Sequence, residues 1–162
     1  MISNIDLELR ERRAFADGMA FDETGPYERL TGRAIFRVDP EAEAQAAVTD
    51  VKLAPRDADG LVRFEADYCI LKPVDPTCGN SRVFFDYGNR GNKRALQYFN
   101  DAVGSNDPIA AEHAGNGFLM RRGYSIVWLG WQGDLHPGDG RMLLGAPIAT
   151  ENGRTITGRT RT

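Results

Sequence analysis

The stretch Arg82 to Lys93, RVFFDYGNRGNK, limits what this chain can fold into more than any other. Val83-Phe84-Phe85-Asp86-Tyr87 is a mostly apolar, β-favouring run. It breaks at once into Gly88-Asn89-Arg90-Gly91-Asn92-Lys93. An apolar run of this length, bounded by turn residues, reads as a buried strand. Gly and Asn tolerate positive φ, so the loop that follows can leave backbone N–H groups exposed. A strand that delivers such groups to a surface is one way to build an anion or oxyanion site. It is also a common way to turn a corner, and the stretch taken alone leaves both readings open.

A second unit of the same kind lies downstream. Gly117 to Gly123 reads as a helix ended by glycine, Tyr124 to Leu129 as a buried strand, and Gly130 to Asp134 as a loop. Strand, loop, helix, strand in this order is half of a parallel sheet with a right-handed crossover. Ligand-binding loops in such sheets lie beyond the carboxyl ends of the strands. The loops after Tyr87 and Leu129 are therefore expected on one edge, which favours a functional role for residues 88–93. Trp128 reads as core. Trp131 either lines a pocket, with Gln132 and Asp134 as polar groups, or packs structurally. Between the two strands, Arg94 to Asn100 reads as one or two helical turns or a folded loop. Asp107 and Pro108 read as the N-cap and first residue of a short helix.

The front half reads as hairpins. Ile5 to Leu9 alternates as a short strand would, although the Glu11-Arg12-Arg13 that follows also suits a helix. Tyr27 to Val38 is expected as a strand bulged at Gly32. Glu41 to Ala47 reads as a loop or single turn, and Val48 to Leu53 as a strand. Leu61 to Leu71 alternates, with Val62, Phe64, Ala66, Tyr68 and Ile70 on its buried side. Toward the end, Met142 to Ala149 is apolar and extended, and Asn152-Gly153 is a hairpin signal. Thr155 to Thr162 opens what reads as another strand, so the chain is expected to end inside a domain. The fold class that follows is mixed α/β. Residues 1–80 form a β-rich front part and residues 81–162 the start of an α/β core, together one continuous domain.

Composition removes several function classes. The 162 residues are 41% hydrophobic and 27% charged, which is ordinary for a globular domain. Net charge is −3 and Lys and Arg are scattered, which argues against nucleic acid as a partner. No apolar run approaches the roughly 20 residues of a membrane span, and the N-terminus lacks a secretory apolar core. Cys69 and Cys78 form no CxxC pair, a disulfide between them is left open without support from the sequence, and a reducing cytoplasm is the default. There is no P-loop and no GxGxxG after a strand, so no cofactor is implied. Asp134, His136 and Asp139 are close in sequence, but their alternation with Pro and Gly suits a solvated turn, and no metal site is assigned. The serines are Ser3, Ser81, Ser105 and Ser125, none in a GxSxG elbow. With only His113 and His136 to draw on, no Ser/His/Asp triad can be assembled.

FFDYGNRGNK, GNGFLMRRGYSIVWLGWQGD and the closing Thr155-Ile156-Thr157-Gly158 resemble the front of an α/β-hydrolase core. The closest likeness is to the poorly characterised bacterial group described as α/β-hydrolase domain-containing. It runs from about Gly25 onward. The resemblance implies that Gly88, Asn89 and Arg90 form the oxyanion loop, and that Asn92 and Lys93 border the pocket. It also implies that a serine nucleophile, acid and histidine lie beyond Thr162. The chain would then be the N-terminal portion of a serine hydrolase acting on an ester-like or related acyl substrate, a small molecule. It would supply the oxyanion loop and would be inactive alone, because the covalent step is missing. The alternative is a non-catalytic, β-rich module that binds a ligand or partner through the same loops. Open sheet edges would also allow self-association.

Overall fold

A computed structural model of the chain describes residues 2–158. It is mixed α/β, mostly sheet with few and short helices. The strands are β1 (Ile2–Ala14), β2 (Tyr27–Val38), β3 (Val62–Pro73), β4 (Val83–Asp86), β5 (Ser125–Leu129), β6 (Leu144–Gly145), β7 (Thr150–Glu151) and β8 (Arg154–Thr155). The helices are α1 (Ala95–Phe99) and α2 (Phe118–Arg121). The main sheet runs β1-β2-β3-β5-β4, with β6 paired to β3. β5 is antiparallel to β3, setting Cys69 opposite Trp128. It is parallel to β4, setting Phe84 opposite Ile126 and Asp86 opposite Trp128. No helix among the described residues is long and apolar enough to cross a membrane.

The chain divides into two compact units that interleave along the sequence. The first comprises Met1–Leu7, Ala34–Glu65 and Gly145–Thr162. Phe36 and Phe64 stack there with ring centroids 4.8 Å apart. The Arg37 guanidinium reaches Asp57 and Asp59, and the Asp57 carboxylate also accepts the N–H groups of Asp59 and Leu61. The Asn152-Gly153 signal is realised as the turn of the β7–β8 hairpin, with φ of 51° and 73° at the two residues. The expected strand over Val48–Leu53 is instead a single 3-10 turn at Val51–Leu53 entered through Asp50 at φ 56°. Val48 and Leu53 stay exposed, so no buried face holds the segment extended. Of the strand expected over Thr155–Thr162, only Thr155 pairs, as the end of β8, residues 156–158 are not in a strand, and residues 159–162 lie outside the described set.

The second unit comprises Glu8–Arg33 and Ala66–Leu144. Its core gathers Phe15, Phe21, Tyr27, Leu71, Leu119, Met120, Ile126 and Trp128. Phe21 packs edge-on to Tyr27 at 5.6 Å. The Tyr27 hydroxyl shares its one proton between the Met120 and Tyr124 carbonyls, at 3.1 and 2.9 Å, and burial pushes its pKa upward. Gly32 sits inside β2 because a Cβ would lie 2.0 Å from the Glu8 carbonyl oxygen. Beyond Ala66 the alternation expected for β3 fails, because Tyr68, Cys69 and Leu71 are all buried. The helix expected to start at Asp107 does not form there. The Asp107 carboxylate is engaged by the buried Arg29, and a 3-10 turn comes later, at Ala111–Ala114. The glycine-ended helix does form as α2, closed by Gly123 at φ 74°.

Asn100, fully buried after α1, ties this core together. Its Oδ1 accepts the Leu119 N–H at 3.0 Å, and its Nδ2 donates to the Ala114 carbonyl at 3.0 Å and Met120 Sδ at 3.2 Å. Replacing it leaves the buried Leu119 N–H without its acceptor, while the Ala114 carbonyl keeps only the Gly117 N–H, which costs about 1–3 kcal/mol in total. Asn100→Ala should therefore lower the unfolding free energy by that amount with the m-value unchanged, as read by urea unfolding.

Candidate functional site

The loops after β4 and β5 meet, as the parallel order of the two strands requires. Their meeting rests on Asp86, the last residue of β4. Its Oδ2 accepts the Trp128 indole N–H at 2.7 Å and the backbone N–H groups of Arg94 and Ala95 at 3.0 and 2.8 Å. One carboxylate oxygen thus joins the end of β4 to the core tryptophan of β5 and to the first turn of α1. An anion at a helix start also satisfies N–H groups that have no partner inside the helix. Asp86 is not among the residues the sequence singles out. Its only signal there is a lone carboxylate in an otherwise apolar run.

Three contacts close the loops on each other. The Arg90 N–H donates to Gln132 Oε1 at 2.6 Å, the Arg90 guanidinium pairs with Asp134 at 2.6 Å, and the Trp131 indole N–H donates to the Gly88 carbonyl at 3.0 Å. Arg90 is held at φ 54°, ψ 37°, a left-handed conformation that non-glycine residues seldom adopt. Gly88 is fixed by close approach, since a Cβ there would lie 1.7 Å from the Asn92 carbonyl oxygen. The three expected oxyanion-loop residues therefore differ. The Arg90 N–H is already used by Gln132. The N–H groups of Gly88 and Asn89 donate to no protein acceptor among the described residues.

Beside these N–H groups lies a groove of about 620 Å³, lined by Phe84 to Asn89, Asn92, Arg94, Ala95, Tyr98 and Phe99. Of the expected pocket residues, only Asn92 lines it. Trp131, Gln132 and Asp134 serve as the clasp. Lys93 is brought elsewhere, into the interior against Asn106 and Gly140. Trp128 is core, as its strand position implied. Asp134 and Asp139 are exposed and paired with Arg90 and Arg141, and the described residues contain no group of three or more potential metal ligands. Both cysteines are free. Cys69 is buried, and burial pushes its thiol up to about 11, which disfavours the thiolate at neutral pH.

The hydrogen bond from Arg90 holds the Asp134 carboxyl below the usual aspartate range. A folded-state pKa below the unfolded value means that the clasp is fully made above the ordinary aspartate pKa. It is lost as pH falls through the depressed one. The Trp131 indole resonance should therefore stay constant from neutral pH to about pH 4 and move only below it. In Asp134→Asn that low-pH transition should vanish, while the global unfolding midpoint at neutral pH stays close to that of the parent because the pair is exposed. No family model, curated protein or solved structure matches this chain.

Proposed function

We propose that this chain carries the oxyanion-loop half of a serine-hydrolase-type site acting on an ester-like or related acyl substrate, with nucleophile, acid and base supplied from outside these 162 residues. The observation that carries this reading is the pair of unengaged N–H groups at Gly88 and Asn89. They sit at the carboxyl end of a parallel strand, beside a groove. Two adjacent donors held by a strained, clasped loop suit a developing oxyanion, because they need no rearrangement when charge forms. The donor pair is Gly88 and Asn89, with Arg90 bracing the loop through Gln132 and Asp134 rather than donating.

A second reading is a non-catalytic module that binds a ligand through the same groove. It draws on the exposed apolar surface of Phe85, Tyr87, Tyr98 and Phe99, more than a solvated turn needs. β4 ends the sheet, so its outer backbone groups could also pair with a second copy of the chain.

Fluorophosphonate labelling separates the readings. The 162-residue chain should not label, and a longer product containing it should. In that longer form, Gly88→Ala should lower kcat by about 100-fold or more with little change in KM, because the added Cβ collides with the Asn92 carbonyl and displaces the two N–H donors from the developing oxyanion. Labelling of the short chain itself would overturn the assignment. Absence of labelling in both forms would favour the binding module.

A further inference from the structure

A second cavity, of about 450 Å³, lies within the unit that holds the loops and is lined in part by Arg10, Arg29, Asp67, Lys93, Asn106 and Arg141. Two of its cations are unusual. Lys93 is only 7% exposed. Its ammonium donates to two backbone carbonyls, those of Asn106 and of Gly140, the latter at 3.2 Å, and it forms no ion pair with a carboxylate among the described residues. Arg29 is 4% exposed. Its two terminal nitrogens engage Asp107 and Glu11, while its Nε has no acceptor among the described residues. Buried ammonium groups ordinarily face a carboxylate, and buried donors are ordinarily satisfied. Here neither rule is met, and both exceptions line the same space.

We infer that this cavity binds a small organic monocarboxylate, with Lys93 as its principal counter-charge and Arg10 at its more exposed side. Of the four cationic side chains that line the cavity, Arg29 is paired with Asp107 and Glu11 and Arg141 with Asp139, so the positive excess of the wall rests on Lys93 and Arg10, which have no carboxylate partner among the described residues. The two carboxylates on the wall, Asp67 and Asp107, disfavour a phosphate dianion by like-charge repulsion. Arg29 has already committed its terminal fork to Asp107 and Glu11, so it cannot offer the bidentate grip that phosphate sites use. A carboxylate needs less. One oxygen meets the ammonium, and Thr31 contributes a neutral hydroxyl to the same wall. The binding stands apart from the groove beside Gly88, with which it shares no lining residue.

The test is a backbone-amide NMR titration of the whole chain with benzoate, using benzamide, inorganic phosphate and chloride at matched ionic strength as comparisons. Benzoate should shift the Lys93, Asn106 and Gly140 amides saturably, and benzamide should not. Lys93→Met should weaken binding by about tenfold or more, the scale expected for loss of a hydrogen-bonded charge. Arg10→Gln, on an exposed residue that leaves the fold intact, should weaken it by a smaller factor and keeps the test decisive if the Lys93 variant does not fold. Absence of saturable shifts at those amides, equal binding of benzamide, or tighter binding of phosphate than of benzoate would each overturn the assignment.

Discussion

One carboxylate oxygen, Asp86 Oδ2, fixes the geometry on which the candidate site depends. It accepts three hydrogen bonds: one from the indole of Trp128 and two from the backbone of Arg94 and Ala95. Each bond to an ionised acceptor in a partly buried setting is stronger than its neutral counterpart. Together they end β4 at a defined point and start α1 at another, leaving residues 87–93 to span the gap. The loop is therefore short, crowded and forced through Gly88, where no side chain fits against the Asn92 carbonyl. A loop of the same composition without this anchor would be an ordinary turn.

The second constraint is the clasp between the two strand-end loops. Arg90 occupies a left-handed conformation that costs free energy for a residue with a Cβ. Gln132 and Asp134 hold it there, one through the backbone and one through the side chain. With the Arg90 N–H used for this brace, the preceding two N–H groups are left without a protein partner among the described residues. The same arrangement explains why Trp131, Gln132 and Asp134 do not line the groove: their polar groups are engaged by the loop after β4.

Much of this frame is legible in the sequence, and the rest is not, for identifiable reasons. Val83-Phe84-Phe85 and Ile126-Val127-Trp128 announce strands by local composition, and Gly88, Gly123 and Gly153 mark the turns, because backbone sterics act locally. Side-chain destinations are long-range. Asp107 has the form of an N-cap, but a buried guanidinium 78 residues away in the chain takes its carboxylate. Lys93 follows the loop directly, but its ammonium turns inward to Asn106 and Gly140. Val48–Leu53 has strand-forming residues and no partner strand, so propensity alone does not extend it. Asp86, a polar residue in an apolar run, organises the site through partners that no local pattern announces.

The central claim is that the N–H groups of Gly88 and Asn89 have no protein acceptor among the described residues while that of Arg90 does. Residue-resolved amide hydrogen exchange tests this most directly. The account predicts exchange near the intrinsic rate at Gly88 and Asn89 and protection of about tenfold or more at Arg90, whose N–H is held by Gln132. Protection at Gly88 and Asn89 with free exchange at Arg90 would mean that the loop is engaged the other way round, and would contradict the account.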